Sequence, residues 1–505
     1  MEKADLSAKI YFTFVTRNLN FILNCFAKIM QKIVIKKFGA IEEADIDIKK
    51  IVVLIGEQAS GKSTIAKLVY FFKILSDRVF DRFYKSPSSH FSFIDHIVFP
   101  TRDEFYNLFG STLHLPDFEI TFFYNFEKSR FIKLRLGTRK ELLVERSSAF
   151  IHGDIIDQLE NSKNRIANID TRLQKNPTGR EQIALTEDKL QEVQKMSLEI
   201  NAIFENDQNT HSYIIAGRES TVSYQSTFES YMEKTLMEIS EDNRKKTETD
   251  RAQTVDEILM LDFLREVQRI RSVFRKHGGT FESVIQNLSQ RNGSVAQSEH
   301  TTQLILEKEL LILKGKYEVD QWSEKIRHSP NAYVNLKDAS SGQKESVRIV
   351  QHILLSVLEN HKFFSVVEEP ESHLFPVAQK ALIELLVLMT THLPESQLVI
   401  TTHSPYVLAV INNLLFASRV VVRNLEAELE VNDVVKKEFF IDPEQFSAYS
   451  LGNSFLKESS SCESIFNEKT GVIKQNYLDI VSEMLGADFN KLYSIHSKSF
   501  SPKKA

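Results

Sequence analysis

Four short stretches of this 505-residue chain carry residue types that could do chemistry together. The first is Gly56-Glu57-Gln58-Ala59-Ser60-Gly61-Lys62-Ser63, followed by Thr64. Its spacing, GxxxxGK[ST], lets backbone wrap a phosphate so that N–H groups point inward at a helix N-terminus. Lys62 would reach the β- and γ-phosphates of a nucleotide, and the Ser63 hydroxyl would ligate Mg2+. The second is Phe363-Phe-Ser-Val-Val-Glu368-Glu369-Pro370-Glu371, an apolar run that ends in carboxylates. Glu368 would orient the Mg2+ shell, and Glu369 would accept a proton from, or orient, an attacking water. A solvated acidic turn is the plainer alternative.

The third stretch, Ala339-Ser340-Ser341-Gly342-Gln343, precedes a helical pattern from Lys344 to Leu358. Small residues at a helix start leave N–H groups and the positive end of the dipole accessible to a phosphate. One nucleotide does not need two such termini from one subunit; a second would be useful if it reached the γ-phosphate of a partner's nucleotide. A simple serine N-cap is the alternative. The fourth is Leu398-Val-Ile-Thr401-Thr402-His403-Ser404-Pro405. A lone histidine is more often structural, yet His403 follows a buried-strand pattern and would emerge at the same sheet edge as Glu369. A neutral imidazole there could hydrogen-bond a γ-phosphate and the water.

The elements that must position these groups are legible around them. Ile51-Val-Val-Leu-Ile55 is continuously apolar and β-branched, the pattern of a strand buried on both faces, and a helix follows from Thr64 to Phe72. Strands are also expected at 32–36, 44–48, 95–99, 118–124 and 131–136. Leu159, Ile166, Ile169 and Leu173 recur at heptad-like spacing, Asn176-Pro-Thr-Gly179 interrupts, and Ile183, Leu190, Val193, Ile200 and Phe204 resume it. That reads as a short antiparallel coiled-coil hairpin over about 155–205, with two ordinary amphipathic helices as the alternative. Ser212 to Arg218 reads as a strand returning to the sheet, and 221–277 as charged helix broken at Gly278-Gly279. Further strands are expected at 363–367, 397–401 and 419–422. Strands at both ends with helices between them predict one α/β head split by an excursion. The divisions are an N-terminal extension (1–29), two head lobes (30–150 and 330–425), a helical insertion (151–329) and a small tail (426–505).

A composition of 42% hydrophobic and 26% charged residues excludes collagen-like and disordered chains. With 63 Lys+Arg against 68 Asp+Glu the net charge is −5, so nucleic-acid contact would need a local patch. Arg265, Arg269, Arg271, Arg275 and Lys276 offer one, although a basic helix end is also what the helix dipole favours. Cys25 and Cys462 form no CxxC pair, which argues against a disulfide framework and suits a reducing cytoplasm. The apolar run at 10–15 is too short for a secretory signal core or a membrane span, and 1–29 is expected to be dispensable.

Taken in order, the four stretches resemble the Walker A, signature, Walker B and H-loop motifs of ABC-type ATPases. The resemblance is to the branch of structural-maintenance-of-chromosomes, RecF and overcoming-lysogenization-defect ATPases. EEPESHLFP and TTHSPYVL are similar in wording to ATPase modules of the anti-phage systems Septu, PARIS, Gabija and the retrons. The resemblance covers roughly 30–150 and 330–425. It implies an ABC-type P-loop head with a mixed β-sheet, and ATP and Mg2+ as cofactors. It also implies a homodimer or higher homo-oligomer in which each ATP lies between Lys62 of one subunit and Ser340 and Gly342 of the other. Two departures stand out: ASSGQ replaces the usual LSGGQ, and Glu368 replaces the aspartate common in transporters. No Asp-x-Asp follows His403, as a C-terminal Toprim nuclease would need, so any nuclease effector is expected to be a separate protein. DNA is the other partner the reading admits, and no membrane is expected. A RecF-like ATPase acting directly on DNA and an ATP-held scaffold with little hydrolysis are the rival functions.

Overall fold

The structure is a computed structural model describing residues 31–151, 153–175, 177–206, 210–223, 255–292, 295–452, 462–474 and 477–498. The expectations for 1–29, and for 224–254 of the charged helical stretch, lie outside the described residues.

Two sheets carry the head. Strands β1 (Gln31–Phe38), β2 (Ile41–Ile48), β4 (Glu119–Asn125), β5 (Arg130–Leu136) and β6 (Leu142–Arg146) form an antiparallel sheet in the order β2-β1-β4-β5-β6. Alternation sets its faces: Ile33, Ile35, Ile46 and Ile48 are buried, while Lys32 turns outward to meet Asp45 at 2.7 Å. The second sheet contains β3 (Ile51–Gly56), β7 (Thr210–Ile214), β11 (Phe363–Glu368), β12 (Gln397–Thr402) and β13 (Phe446–Leu451), with a two-residue β14 (Glu463–Ser464) at its edge. Its order is β14-β13-β3-β12-β11-β7, and every pairing except that of β14 is parallel. All six residues of β3 and of β11 are buried, as strands covered on both faces must be. Helix α1 (Lys62–Lys85) runs between the sheets: Phe72 stacks on Phe122 of β4 at 4.8 Å, and the Tyr124 hydroxyl donates to the Phe72 carbonyl.

Parallel register decides the site. Thr401 pairs with Leu54 and with Glu368, so β3, β11 and β12 all finish at one edge of the sheet. Ligands bind at this carboxyl edge in open α/β sheets. Of the Ser212–Arg218 stretch only 212–214 return to the sheet, in edge strand β7 beside β11; the strand ends at Ile214 and Arg218 lies in the turn that follows.

Several expectations are corrected. Residues 95–99 are not a strand: Ile94–Val98 is a π-helical turn leading into α2 (Phe99–Phe109). His96 stacks on Phe91 at 5.2 Å, and Pro100, which cannot donate to a ladder, sits in the first helical turn. Arg419–Val422 is likewise the last turn of a helix, Pro405–Arg423, because packing of Val407, Ile411, Leu414 and Leu415 at helical spacing overrides the β-branched run. By length and composition this helix could cross a bilayer, but that apolar face is buried in the head. The head also extends past the expected boundary at 425, since β13 is hydrogen-bonded along the whole of β3.

The hairpin forms from α3 (Gly153–Leu173) and α4 (Gly179–Ile203). The pairs Arg165–Glu192, Lys189–Asp170 and Arg172–Glu181 show the arms to be antiparallel. Its seam differs from the expected heptad. Leu159, Ile166, Leu185, Met196 and Ile200 are buried, whereas Ile183 and Leu190 are exposed. The arms are rooted on the head, where Phe204 packs on Tyr124 and Phe150, and that contact decides which stripe faces inward. Helix α5 (Val255–Lys276) disperses the expected basic stripe. Arg265 pairs with Asp262, Arg269 with Glu266 and Glu359, and Arg271 with Glu324, leaving Arg275 and Lys276 exposed.

Candidate functional site

The Gly56–Ser63 loop joins β3 to α1. Gly61 has φ +98° as the N-cap of α1, a conformation that L side chains rarely adopt. A Cβ on Gly56 would stand 2.1 Å from the Leu451 carbonyl oxygen, so β13 requires glycine there as much as a phosphate would. Lys62 is buried and donates to the carbonyls of Gly56 (3.0 Å) and Glu57 (2.7 Å). Burial lowers its pKa, opposed by the nearby charges of Glu369, Glu371, Glu368 and Glu57. The loop lysine and the carboxylates ending β11, about 300 residues apart in sequence, thus share one electrostatic site. The loop fits a nucleotide phosphate with its metal: the Ser60 Oγ is buried with no hydrogen-bond partner, and Ser63 is exposed beside Thr64 at the start of α1.

Glu368 is buried and held by both oxygens, Oε1 accepting from the Tyr213 hydroxyl (2.7 Å) and Oε2 from the Ala216 N–H (3.2 Å). Glu369 is a non-glycine residue at φ +42°, a conformation that costs about 1–3 kcal/mol and persists only when its surroundings enforce it. Here its N–H donates to the Thr401 carbonyl (2.9 Å), and Arg218 Nη2 donates to its carbonyl (3.0 Å). The turn projects the Glu369 carboxylate to within 3.1 Å of His403 Nε2, with both side chains partly exposed. Glu371, quoted with the motif but given no role, fixes the opposite side: its Oε1 accepts from Thr402 Oγ1 (2.6 Å) and from the His403 N–H (2.9 Å). A carboxylate and an imidazole held in contact at a sheet edge can accept and relay a proton.

Ser340–Gln343 starts a helix, α8 (Ser341–Glu359), and does so through a capping box. The Ser340 hydroxyl accepts from the Gln343 N–H, and Gln343 Oε1 accepts from the Ser340 N–H (3.1 Å). The serine is therefore an N-cap and is also exposed at a helix N-terminus. Among the described residues, none of Ser340, Ser341, Gly342 and Gln343 hydrogen-bonds to the Gly56–Ser63 loop. Their neighbours are Leu313, whose carbonyl accepts from Gln343 Nε2 (2.7 Å), and His373, whose carbonyl oxygen a Cβ on Gly342 would approach to 2.6 Å.

Four contributors had not been anticipated: Tyr213 on Glu368, Arg218 on the Glu369 carbonyl, Glu345 on Arg218, and Gly452, where an added Cβ would stand 2.6 Å from Ser60 Cβ. Arg218 alone had a visible signal, a strong cation ending an otherwise buried strand pattern. The others act through contacts between segments far apart in the chain.

This is the geometry of a P-loop at the carboxyl edge of a parallel sheet, with a carboxylate and an imidazole in contact beside it. The chain belongs to the AAA ATPase domain family, which it matches over residues 29–408. No curated protein matches it. Among solved structures it is similar to an Smc head bound to the C-terminal winged-helix domain of ScpA (11% identity, 87% of this chain and 98% of that one, TM-score 0.38). It is also similar to the SMC head domain from Thermotoga maritima (12%, 87% and 99%, TM-score 0.34) and to the recombination mediator RecF (11%, 86% and 98%, TM-score 0.25). These likenesses are distant.

Proposed function

We propose that this protein binds and hydrolyses ATP in a head-to-tail pair of ABC-type heads. Lys62 and Ser63 of one copy would hold the triphosphate and its Mg2+, and Ser340 and Gly342 of the other would reach the γ-phosphate. The observation that carries this reading is the Glu369–His403 contact at 3.1 Å, within the electrostatic reach of Lys62. Glu369 would accept the proton of the attacking water, with His403 steadying the carboxylate. Bound Mg2+ would supply charge neutralisation at the phosphates. The need for a second copy is supported by the Ser340 terminus, which is exposed and makes no bond to its own loop. It is also supported by exposed Phe375 and Tyr406, which follow the two catalytic segments and provide apolar surface beside them.

The engaged pair would control a second protein. It would be a separate effector, a nuclease, in anti-phage defence, supported by the wording of EEPESHLFP and TTHSPYVL. The paired state of most of the basic side chains on α5 speaks against DNA as its direct substrate.

Steady-state ATP hydrolysis and ATP-dependent association, measured for the parent and for Glu369→Gln, test the core of it. Turnover should fall roughly 10²- to 10⁴-fold, the scale of losing a general base, while ATP-driven association is retained. Equal turnover in the two proteins would refute the assignment of Glu369.

A further inference from the structure

A fully buried arginine of the head lies outside the motifs. Arg218, in the turn that follows β7, is 0% exposed, and its side chain bridges three segments. Nη1 donates to the carbonyls of Ile215 and Glu368 (both 2.6 Å) and Nη2 to that of Glu369 (3.0 Å). Nε donates to the Glu345 carbonyl (3.1 Å) and lies 3.0 Å from Glu345 Oε2. Glu345, itself 1% exposed, also accepts from the N–H groups of Arg218 (3.1 Å) and Glu219 (3.2 Å). It sits two residues beyond Gln343, in the second turn of α8.

We propose that Arg218 and Glu345 form a positioning relay that sets Glu369 according to the seating of the Ser340–Gln343 segment, so that turnover follows engagement of the partner's nucleotide. The inference rests on the ATPase reading above and deepens it.

The chemistry of the relay is specific. A guanidinium offers five donors in a rigid fork, enough to hold two consecutive carbonyls and a carboxylate at once; an ammonium would not span them. A buried charge of this kind persists only when fully paired, so the three segments stay joined. The carbonyls it grips belong to the residues on either side of the peptide that leads into Glu369, whose left-handed φ needs external enforcement. A tilt of that peptide swings the carboxylate relative to His403. Gly342 against the His373 carbonyl supplies a second contact between the α8 start and the turn after β11. Force applied at Ser340 therefore reaches Glu369 through packed, hydrogen-bonded groups. A plain structural staple between α8 and β11 is the competing account.

The full-length chain, Glu345→Gln and Arg218→Lys separate the two. Glu345→Gln conserves shape and removes the charge; Arg218→Lys conserves the charge and removes the fork. Three quantities are measured: maximal turnover and its half-saturating ATP concentration, ATP-dependent association in a Glu369→Gln background, and the melting temperature. Maximal turnover of the Gln variant should drop roughly 10- to 100-fold, the scale of an ångström-level misplacement, with half-saturation and association within about twofold of the parent. Arg218→Lys should show the same split, and if it fails to fold, the near-isosteric Gln variant decides. Unchanged turnover in Glu345→Gln would overturn the relay and leave the ATPase reading standing. So would a parallel decline of turnover, half-saturation, association and melting temperature, which is the signature of a staple. A parent protein that neither hydrolyses ATP nor associates with it would overturn both.

Discussion

Gly452→Ala tests the placement of the segment after β13, which no motif marked. Gly452 has φ +68° and packs on the phosphate loop, where an added Cβ would stand 2.6 Å from Ser60 Cβ. Two costs add. The left-handed conformation disfavours an L side chain by about 1–2 kcal/mol. Forcing a methyl into a contact closer than real Cβ atoms tolerate costs about 1–3 kcal/mol more. The expected destabilisation is therefore about 2–5 kcal/mol, read as a lowered midpoint in urea unfolding. Because the atom displaced belongs to the loop, ATP affinity should fall as well, by roughly tenfold for each 1.4 kcal/mol of loop distortion. Ser60→Gly removes the colliding Cβ, so the double variant should recover the packing share and retain the conformational one. That gives a coupling energy of about 1–3 kcal/mol in a double-mutant cycle. If Gly452→Ala unfolds and binds ATP like the parent, or if Ser60→Gly recovers nothing, the seating of β13 against the loop is wrong.

Lys62→Met should weaken ATP binding by roughly 10- to 150-fold, the worth of a charge-assisted hydrogen bond of about 1.5–3 kcal/mol, as read by a loss of the ATP-induced thermal shift. Glu309 is buried, accepts from the Tyr317 N–H (2.8 Å), and burial pushes its carboxyl up from 4.5 to about 8. The unfolded chain therefore releases this proton before the folded one does: stability should be full below pH 4.5, decline as pH rises towards 8, and level off above it. Glu309→Gln should flatten that decline by a few kcal/mol in unfolding free energies compared at pH 5 and pH 8, with about 1.4 kcal/mol for each pH unit crossed as the upper bound. An equal slope in both proteins would refute the buried, protonated carboxyl.

Local patterning was enough to place Lys62, Glu369 and His403 at the ends of buried strands and to mark most of the strands themselves. The continuous apolar runs at 51–55 and 363–367 can be satisfied only by burial on both faces, and each ends in residues whose types dictate phosphate or proton chemistry. The helix start after β3 follows locally from Gly61 at its N-cap, although β13 and the Gly452 after it also press on the loop at Gly56 and Ser60. Where local signals competed with packing, the packing prevailed: 95–99 and 419–422 carry strand-like residues but form a π-helical turn and the end of a helix, with Phe99 and Val422 exposed. The hairpin was foreseen as a pair of helices, but its buried stripe was set by where the arms root on the head. Only the tertiary structure placed β13 beside β3, Glu371 beneath His403, and Arg218 between Glu345 and Glu369. Each of those contacts joins segments separated by at least 30 residues, most of them by more than 100. Periodicity and spacing report only local geometry. Which buried cation meets which carbonyl is decided when the sheet closes and every buried polar group must find a partner.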